Sequence, residues 1–260
     1  MNNVYEPRTE LGCGNLRLPI PVMIDADINN FLSDHKYLWS ELDMSQEQCI
    51  KIEKETKMQN LSQEWYKHRK PRIIASVFGA IMNRKKKVNH SFMKNTFLQK
   101  PFVAKQTTYG QVHERTAKLL YMNKTGSHMH DVGLVINSQF PFLGASPDAL
   151  VCSNGTTGIV EVKCPYSIRT MTVHEAVEKK LKNFCLVQNG DVLELSKSHN
   201  YFYQIQGQLL VTGMPFCEFI VFSNADIFVQ RIMPDNEVMQ SILKKMADFY
   251  ISDFKPFILL

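Results

Sequence analysis

Gly144-Ala145-Ser146-Pro147-Asp148-Ala149-Leu150-Val151, followed by Gly158-Ile159-Val160-Glu161-Val162-Lys163-Cys164-Pro165, is the stretch that decides how this chain folds. The second run is apolar and rich in β-branched residues and reads as a strand, while the first sets Asp148 in a turn between apolar residues. Side chains at i and i+2 of a strand share a face. Glu161 and Lys163 therefore emerge together, with Val162 turned into the core. With the Asp148 segment alongside, two carboxylates and one ammonium converge on one spot. Charge inside core-like strands is costly unless compensated, and a divalent cation would supply the compensation. Two carboxylates suit a hard, oxygen-seeking ion such as Mg²⁺, and the lysine can then steer or activate a water. The blander reading is a turn aspartate and a solvent-facing salt pair, and it does not account for the apolar flanks.

Working outward, Val132 to Ser138 and Phe142 to Val151 read as strands, as do Phe216 to Phe222 and Ile227 to Ile232. Ser62 to Arg69, Ala75 to Met82, Tyr109 to Tyr121, Thr172 to Leu181, Asn200 to Thr212 and Asp235 to Phe249 read as helices. In the third of these, Val112, Ala117, Leu119 and Leu120 read as an apolar stripe. Strands in the middle with helices before, between and after predict an α/β fold, a mixed central β-sheet flanked by helices. Residues 1–60 read as an accessory, partly helical region, and 61–260 as the main domain. The accessory region opens on an irregular lead-in, then a helix around Ile28 to Leu42. A second helix starts at Ser45-Gln46-Glu47-Gln48, which resembles a capping box.

Composition excludes little. The 260 residues carry 30 Lys+Arg against 25 Asp+Glu, a net charge of +5 that permits a polyanionic partner without demanding one. Six scattered cysteines form no Cys-x-x-Cys pair, which argues against a zinc or iron–sulfur site and for reduced thiols in an intracellular compartment. No run of about eighteen apolar residues predicts a membrane span. The expected setting is intracellular and soluble, nuclear for a eukaryotic source.

The two opening runs closely resemble the phage lambda exonuclease (YqaJ-type viral recombinase) branch of the PD-(D/E)xK nucleases, and so do further blocks in the same order. Gln63-Glu64-Trp65-Tyr66-Lys67-His68-Arg69 through Ile73-Ile74-Ala75-Ser76 resembles the family's Trp…Arg…Ile-x-Ala-Ser block. Gly110-Gln111-Val112-His113-Glu114 resembles its helical Gly-x-x-x-Glu, and Tyr201-Phe202-Tyr203-Gln204-Ile205-Gln206 its Tyr-x-x-Gln-x-Gln helix. The resemblance implies a restriction-endonuclease-like PD-(D/E)xK core and a Mg²⁺-dependent deoxyribonuclease, with Mn²⁺ able to substitute. Its implied reaction is 5′→3′ digestion of linear double-stranded DNA with free ends, giving 5′ mononucleotides and a 3′ single strand for recombination or repair. An endonuclease of the same fold and a non-catalytic DNA-binding module are the alternatives. A ring-shaped homo-trimer and a single-strand annealing protein are the partners it implies.

Carried over residue by residue, Asp148 and Glu161 would bind the metal with the backbone carbonyl of Val162. Glu114 would complete the acidic cluster, and Lys163 would position or activate the water. Gln204 would orient groups beside the site, with Tyr201 supporting it. Arg69, Ser76 and Ser146 match the family's pocket for the 5′-terminal phosphate. Guanidinium forks and helix starts are ordinary ways to hold phosphate. Three positions depart from the pattern: Pro71 and Ala149 stand where glycine is common, and Ile74 where threonine is frequent. These put the shape of the end-binding pocket in question and remove no charged group. Arg84 to Lys87 reads as a solvated basic face, Trp65 as core, and His113 as pointing away from Glu114.

Overall fold

The computed structural model describes residues 16–98, 105–153 and 155–259. Ten helices alternate with nine strands among them. The helices are α1 (Ala26–Asp34), α2 (Gln46–Glu55), α3 (Gln63–Arg69), α4 (Phe78–Met82), α5 (His90–Phe97), α6 (Lys105–Thr125), α7 (Val173–Glu178), α8 (Asn200–Thr212), α9 (Asn236–Phe249) and α10 (Lys255–Ile258). The strands are β1 (Ile73–Ile74), β2 (His128–His130), β3 (Leu143–Gly144), β4 (Ala149–Ser153), β5 (Thr156–Lys163), β6 (Leu186–Asn189), β7 (Val192–Leu195), β8 (Cys217–Phe222) and β9 (Ile227–Ile232).

The central sheet runs β2-β4-β5-β8-β9. It is mixed: β5 and β8 are parallel, while the other three pairings are antiparallel. Alternation along β5 and β8 sorts side chains to two faces. Ile159, Cys217, Phe219 and Val221 join the large core under α8 and α9. Val160, Val162, Ile220 and Phe222 pack instead with Ala117 and Tyr121 of α6. The sheet is thus sandwiched between helices, as the sequence predicts.

Several expectations are corrected. Val132 to Ser138 is no strand. Its apolar residues Val132, Leu134, Val135 and Ile136 are fully buried, but only Val135 forms a bridge, to Ala145. The predicted strand 142–151 is cut by the Pro147-Asp148 turn into β3 and β4. The helix expected from Ile28 to Leu42 stops at Asp34 and continues as two 3₁₀ turns. The helix at Ser45 starts with its capping box intact. The hairpin β6–β7 escapes the periodicity reading. The stripe on α6 is also different: Val112, Leu119 and Leu120 are exposed, and the helix docks through Ala117 and Tyr121.

Residues ahead of α3 pack onto the same core, with Leu18, Leu32, Trp39 and Leu42 inside it. The extended lead into α1 is tied down at several points. Ile20 N–H donates to Thr212 O (2.9 Å). Val22 exchanges two hydrogen bonds with the Gln139 amide, and Gln240 bonds Met23 O and Asp25 N–H. Cys49, Cys164, Cys185 and Cys217 are free thiols, as expected, whereas Cys152 is disulfide-bonded. No helix among the described residues is long and apolar enough to cross a membrane.

Candidate active site

The site forms at the carboxyl end of β5, beside its parallel partner β8 and between α6 and the first turn of α8. Asp148 is fixed there by the strand it faces. Its N–H donates to Val160 O (2.9 Å) and its Oδ2 accepts from the Val162 N–H (2.6 Å). Gln59 supports this turn from the segment before α3, its amide donating to Pro147 O (2.9 Å) and Val132 O (3.0 Å).

Glu161 and Lys163 share the α8 face of β5, as strand alternation requires. Lys163 Nζ donates to Glu161 Oε1 (2.5 Å) and to Gln204 Oε1 (3.3 Å). It lies 4.4 Å from the centre of the Tyr201 ring. The Gln204 amide donates to Glu161 Oε1 (2.6 Å), and Gln208 donates to Oε2 (2.7 Å). Glu161 is therefore gripped on both oxygens and is 2% exposed. Glu114 reaches in from α6. Lys118, one turn later, bridges Glu114 Oε1 (2.6 Å) to the Asp148 carbonyl (2.6 Å).

A cleft of about 510 Å³ opens over these groups, lined by Glu114, Asp148, Val162, Lys163 and Tyr201. Glu161 and Gln204 lie beneath it rather than in its wall. Electrostatics follow from the crowding. Burial pushes the Asp148 carboxyl well above its usual range, and the nearby Glu161 and Glu114 carboxylates push the same way. Burial lowers the Lys163 ammonium, but the Glu161 carboxylate, the Tyr201 hydroxyl and the Asp148 carboxylate together outweigh it and raise the group.

Hard oxygen donors and a carboxylate burdened by its acidic neighbours fit a divalent cation chemically, because a cation would relieve that repulsion. Their present orientation does not converge, however. Among the described residues no three carboxylate, imidazole or thiol groups are placed to hold an ion together. Glu161 accepts two hydrogen bonds on Oε1 and one on Oε2, and Glu114 pairs with Lys118, so a cation would share these carboxylates with the chain's own donors.

A second subsite lies two residues ahead of Asp148. Arg69 Nη1 donates to Ser146 Oγ (3.1 Å), and Trp65 Nε1 donates to the same oxygen (3.0 Å). The guanidinium carbon lies 3.8 Å from the centre of the Trp65 ring. Burial draws the Arg69 pKa down to about 10, and no acidic side chain among the described residues pairs with it. Ser76 is exposed in the 3₁₀ turn Ala75–Val77 that leads into α4, and its side chain bonds neither Arg69 nor Ser146. The parallel pairing of Ile74 with Gly144 places Ser76 and Ser146 each two residues beyond paired positions.

Four contributors escaped the sequence reading. Lys118 carried one signal, its i+4 spacing from Glu114, and Gln208 carried the same spacing from Gln204. Trp65, expected in the core, is half-buried at the Arg69 subsite. Gln59 carried no signal. Gln206 holds the approach to α9 instead of the site, bonding Met233 O and Asp235 N–H. His113 stacks on Phe222 and packs at a tilt against Tyr109.

Comparison with known proteins bears on the fold and the family. Residues 64–215 match the family model of the YqaJ-like viral recombinase domain. An uncharacterized protein of Acanthamoeba polyphaga mimivirus is 26% identical over 183 residues, 65% of this chain, but the match spans only 30% of that protein. An alkaline exonuclease (LHK-Exo) of Laribacter hongkongensis shares the fold at a TM-score of 0.58 and 23% identity, covering 76% of this chain and 95% of its own. SOX in a DNA complex superposes at 0.59 and 14% identity, covering 90% and 80%. In an RNA complex, KSHV SOX superposes at 0.56 and 13%, covering 90% and 83%. The family model spans more than half of the sequence and contains both subsites, so this chain belongs to the YqaJ-like viral recombinase family.

Proposed function

We propose that this chain is a Mg²⁺-dependent deoxyribonuclease that digests linear double-stranded DNA 5′→3′, releasing 5′ mononucleotides and leaving a 3′ single strand for recombination or repair. One observation carries the reading. Glu114, Asp148 and Lys163 open on a single cleft, and a half-buried guanidinium with no acidic partner among the described residues bonds Ser146, two residues ahead of Asp148. Such an arrangement suits a DNA end, with its terminal phosphate on Arg69 and Ser146 and its scissile bond over the carboxylates. The SOX complexes with DNA and RNA lend support by analogy of fold.

In this reading Asp148 and Glu161, with the Val162 carbonyl, would hold the cation, and Glu114 would complete the acidic set. Mn²⁺ would substitute for Mg²⁺. A cation held by these residues would supply a more acidic water and offset the charge that builds on the phosphate. Lys163 enters as an ammonium, since Glu161 keeps it protonated. It orients the attacking water and balances negative charge rather than withdrawing a proton. Gln204 holds Lys163 and Glu161 in register, and Tyr201 backs the ammonium with its ring face. Arg69 and Ser146, with Ser76 across the turn, would grip the 5′ phosphate and set which bond reaches the carboxylates. We assign the chemistry to residues 61–260, with the preceding region an accessory that steadies the Pro147-Asp148 turn through Gln59. A homo-trimer around DNA and a single-strand annealing partner are further parts of the proposal.

The test is digestion of end-labelled linear duplex and closed circular DNA, with Mg²⁺ or with EDTA. The expected outcome is mononucleotide release from the 5′ end of linear DNA only, abolished by EDTA. Lys163→Ala should lower kcat by about 10²–10³-fold while DNA binding persists, and unchanged cleavage would sink the assignment. Cutting of closed circles would favour the endonuclease reading.

A further inference from the structure

We propose that Gln208 is a positioning residue for Glu161, acting with Gln204 as a two-amide clamp that fixes the direction of the Glu161 carboxylate. The proposal rests on the nuclease reading above and concerns how its acidic group is presented.

Gln204 and Gln208 sit one turn apart on α8, so their side chains leave the same helix face. Both are buried, at 7% and 1% exposure. The Gln204 amide is satisfied at both ends, donating to Glu161 Oε1 and accepting from Lys163 Nζ. Gln208 is not. Its Nε2 donates to Glu161 Oε2 (2.7 Å), while its Oε1 is fully buried with no partner. A buried acceptor without a donor is unfavourable, and buried polar groups are nearly always paired. A side chain that only filled this space would do so better as methionine, which leaves no orphan. Turning the amide over would set its oxygen against the Glu161 carboxylate. Glu161 thus dictates the amide's orientation, and the orphaned carbonyl is the consequence.

What Gln208 supplies is a second point of attachment. With Lys163 and Gln204 both on Oε1, the carboxylate would still be free to swing about that oxygen. The bond to Oε2 removes this freedom. Outer hydrogen-bond partners of this kind orient metal-binding carboxylates, and their loss typically weakens metal affinity or activity about tenfold to a hundredfold. Gln208 lies under the cleft and does not line it, so it acts on the acidic group without touching DNA.

The experiment uses the full chain, with Mn²⁺ as the probe. Binding of Mn²⁺ is titrated by electron paramagnetic resonance, and kcat and KM are measured on linear duplex DNA. Gln208→Met should weaken Mn²⁺ binding about tenfold or more and lower kcat at limiting Mn²⁺. KM for DNA should hold, and the thermal midpoint should be no lower than the parent's. Gln208→Asn, which withdraws the donor by one methylene, serves as second variant should the first fail to fold, with the same expected loss. In a Glu161→Gln background, Gln208→Met should add no further loss of Mn²⁺ binding. Unchanged Mn²⁺ affinity in Gln208→Met or Gln208→Asn overturns the clamp, as does a full additive loss in the Glu161→Gln background. A parent chain that neither binds Mn²⁺ nor cuts DNA overturns the nuclease reading itself, and the parent titration separates the two failures.

Discussion

Arg69 shows how much one side chain can specify. Its guanidinium is stacked on Trp65, bonded to Ser146 and drawn down to about 10 by burial, with no carboxylate among the described residues to balance it. A lysine there would keep the charge and lose both the planar stack and the fork. Arg69→Lys should therefore slow digestion of 5′-phosphorylated ends by about tenfold to a hundredfold, the range of about 1.5–3 kcal/mol for a charged hydrogen bond. Digestion of 5′-hydroxyl ends should be little changed. The measurement is the ratio of initial rates on the two substrates, and an unaltered ratio would remove Arg69 from end recognition. Arg69 and Ser146 were reached through the family resemblance, whereas Asp148, Glu161 and Lys163 were legible because their spacing is local, on one strand face and the turn beside it. Lys118 and Gln208 were not, since their bonds reach 30 and 47 positions along the chain to Asp148 and Glu161. Only the fold brings those partners together.

At the scale of elements, the crossing of α4 and α8 positions the amides beneath the cleft. Two glycines permit it. A methyl group at Gly79 would come within 2.4 Å of Asn200 Cα, and one at Gly207 within 2.2 Å of Phe78 Cδ2. The Gly79 obstacle is backbone and cannot rotate away. Gly79→Ala should destabilise the fold by about 1–3 kcal/mol, read as a lower urea midpoint, with activity falling as α8 shifts. A midpoint equal to the parent's would show that the crossing has slack. Elements were legible where composition and period agree, as in β5, β8, β9 and α8. They were misread where burial and period part company. The 132–138 segment is as apolar as a strand but is a buried loop, satisfied in part by Glu53 and Thr56 side chains bonding Gly133 and Leu134 N–H. The β6–β7 hairpin did carry its mark, the two-residue turn Gly190-Asp191, with Gly190 at φ +57°. Its polar flanks hid the strands.

Over the whole molecule, protonation couples to folding through two half-buried histidines. Burial holds the His68 and His199 imidazoles below their ordinary value. His199 also caps α8, its Nδ1 accepting from the Tyr201 N–H (3.1 Å), which requires an unprotonated nitrogen. The folded state resists a proton that the unfolded chain accepts near pH 6.5. Their contribution is therefore complete above about pH 6.5 and is lost as pH falls below it. Asp148 runs the other way, its raised carboxyl costing stability as pH climbs above the ordinary aspartate value of about 3.9. Comparing variants isolates the histidine part. His68→Gln with His199→Asn should flatten the decline in urea midpoint between pH 7 and 5 relative to the parent, and an identical slope would exclude these two groups.

The tethered lead into α1 bears on how the protein can be handled. Leu18 is inside the core, and the amides of Gln139 and Gln240 and the carbonyl of Thr212 each find partners between Ile20 and Asp25. Trimming the gene back to the start of α1 would strip a lid from the hydrophobic interior and leave these hydrogen-bonding groups bare. Affinity tags and fusion junctions consequently belong outside residues 18–25, so that this seam stays closed.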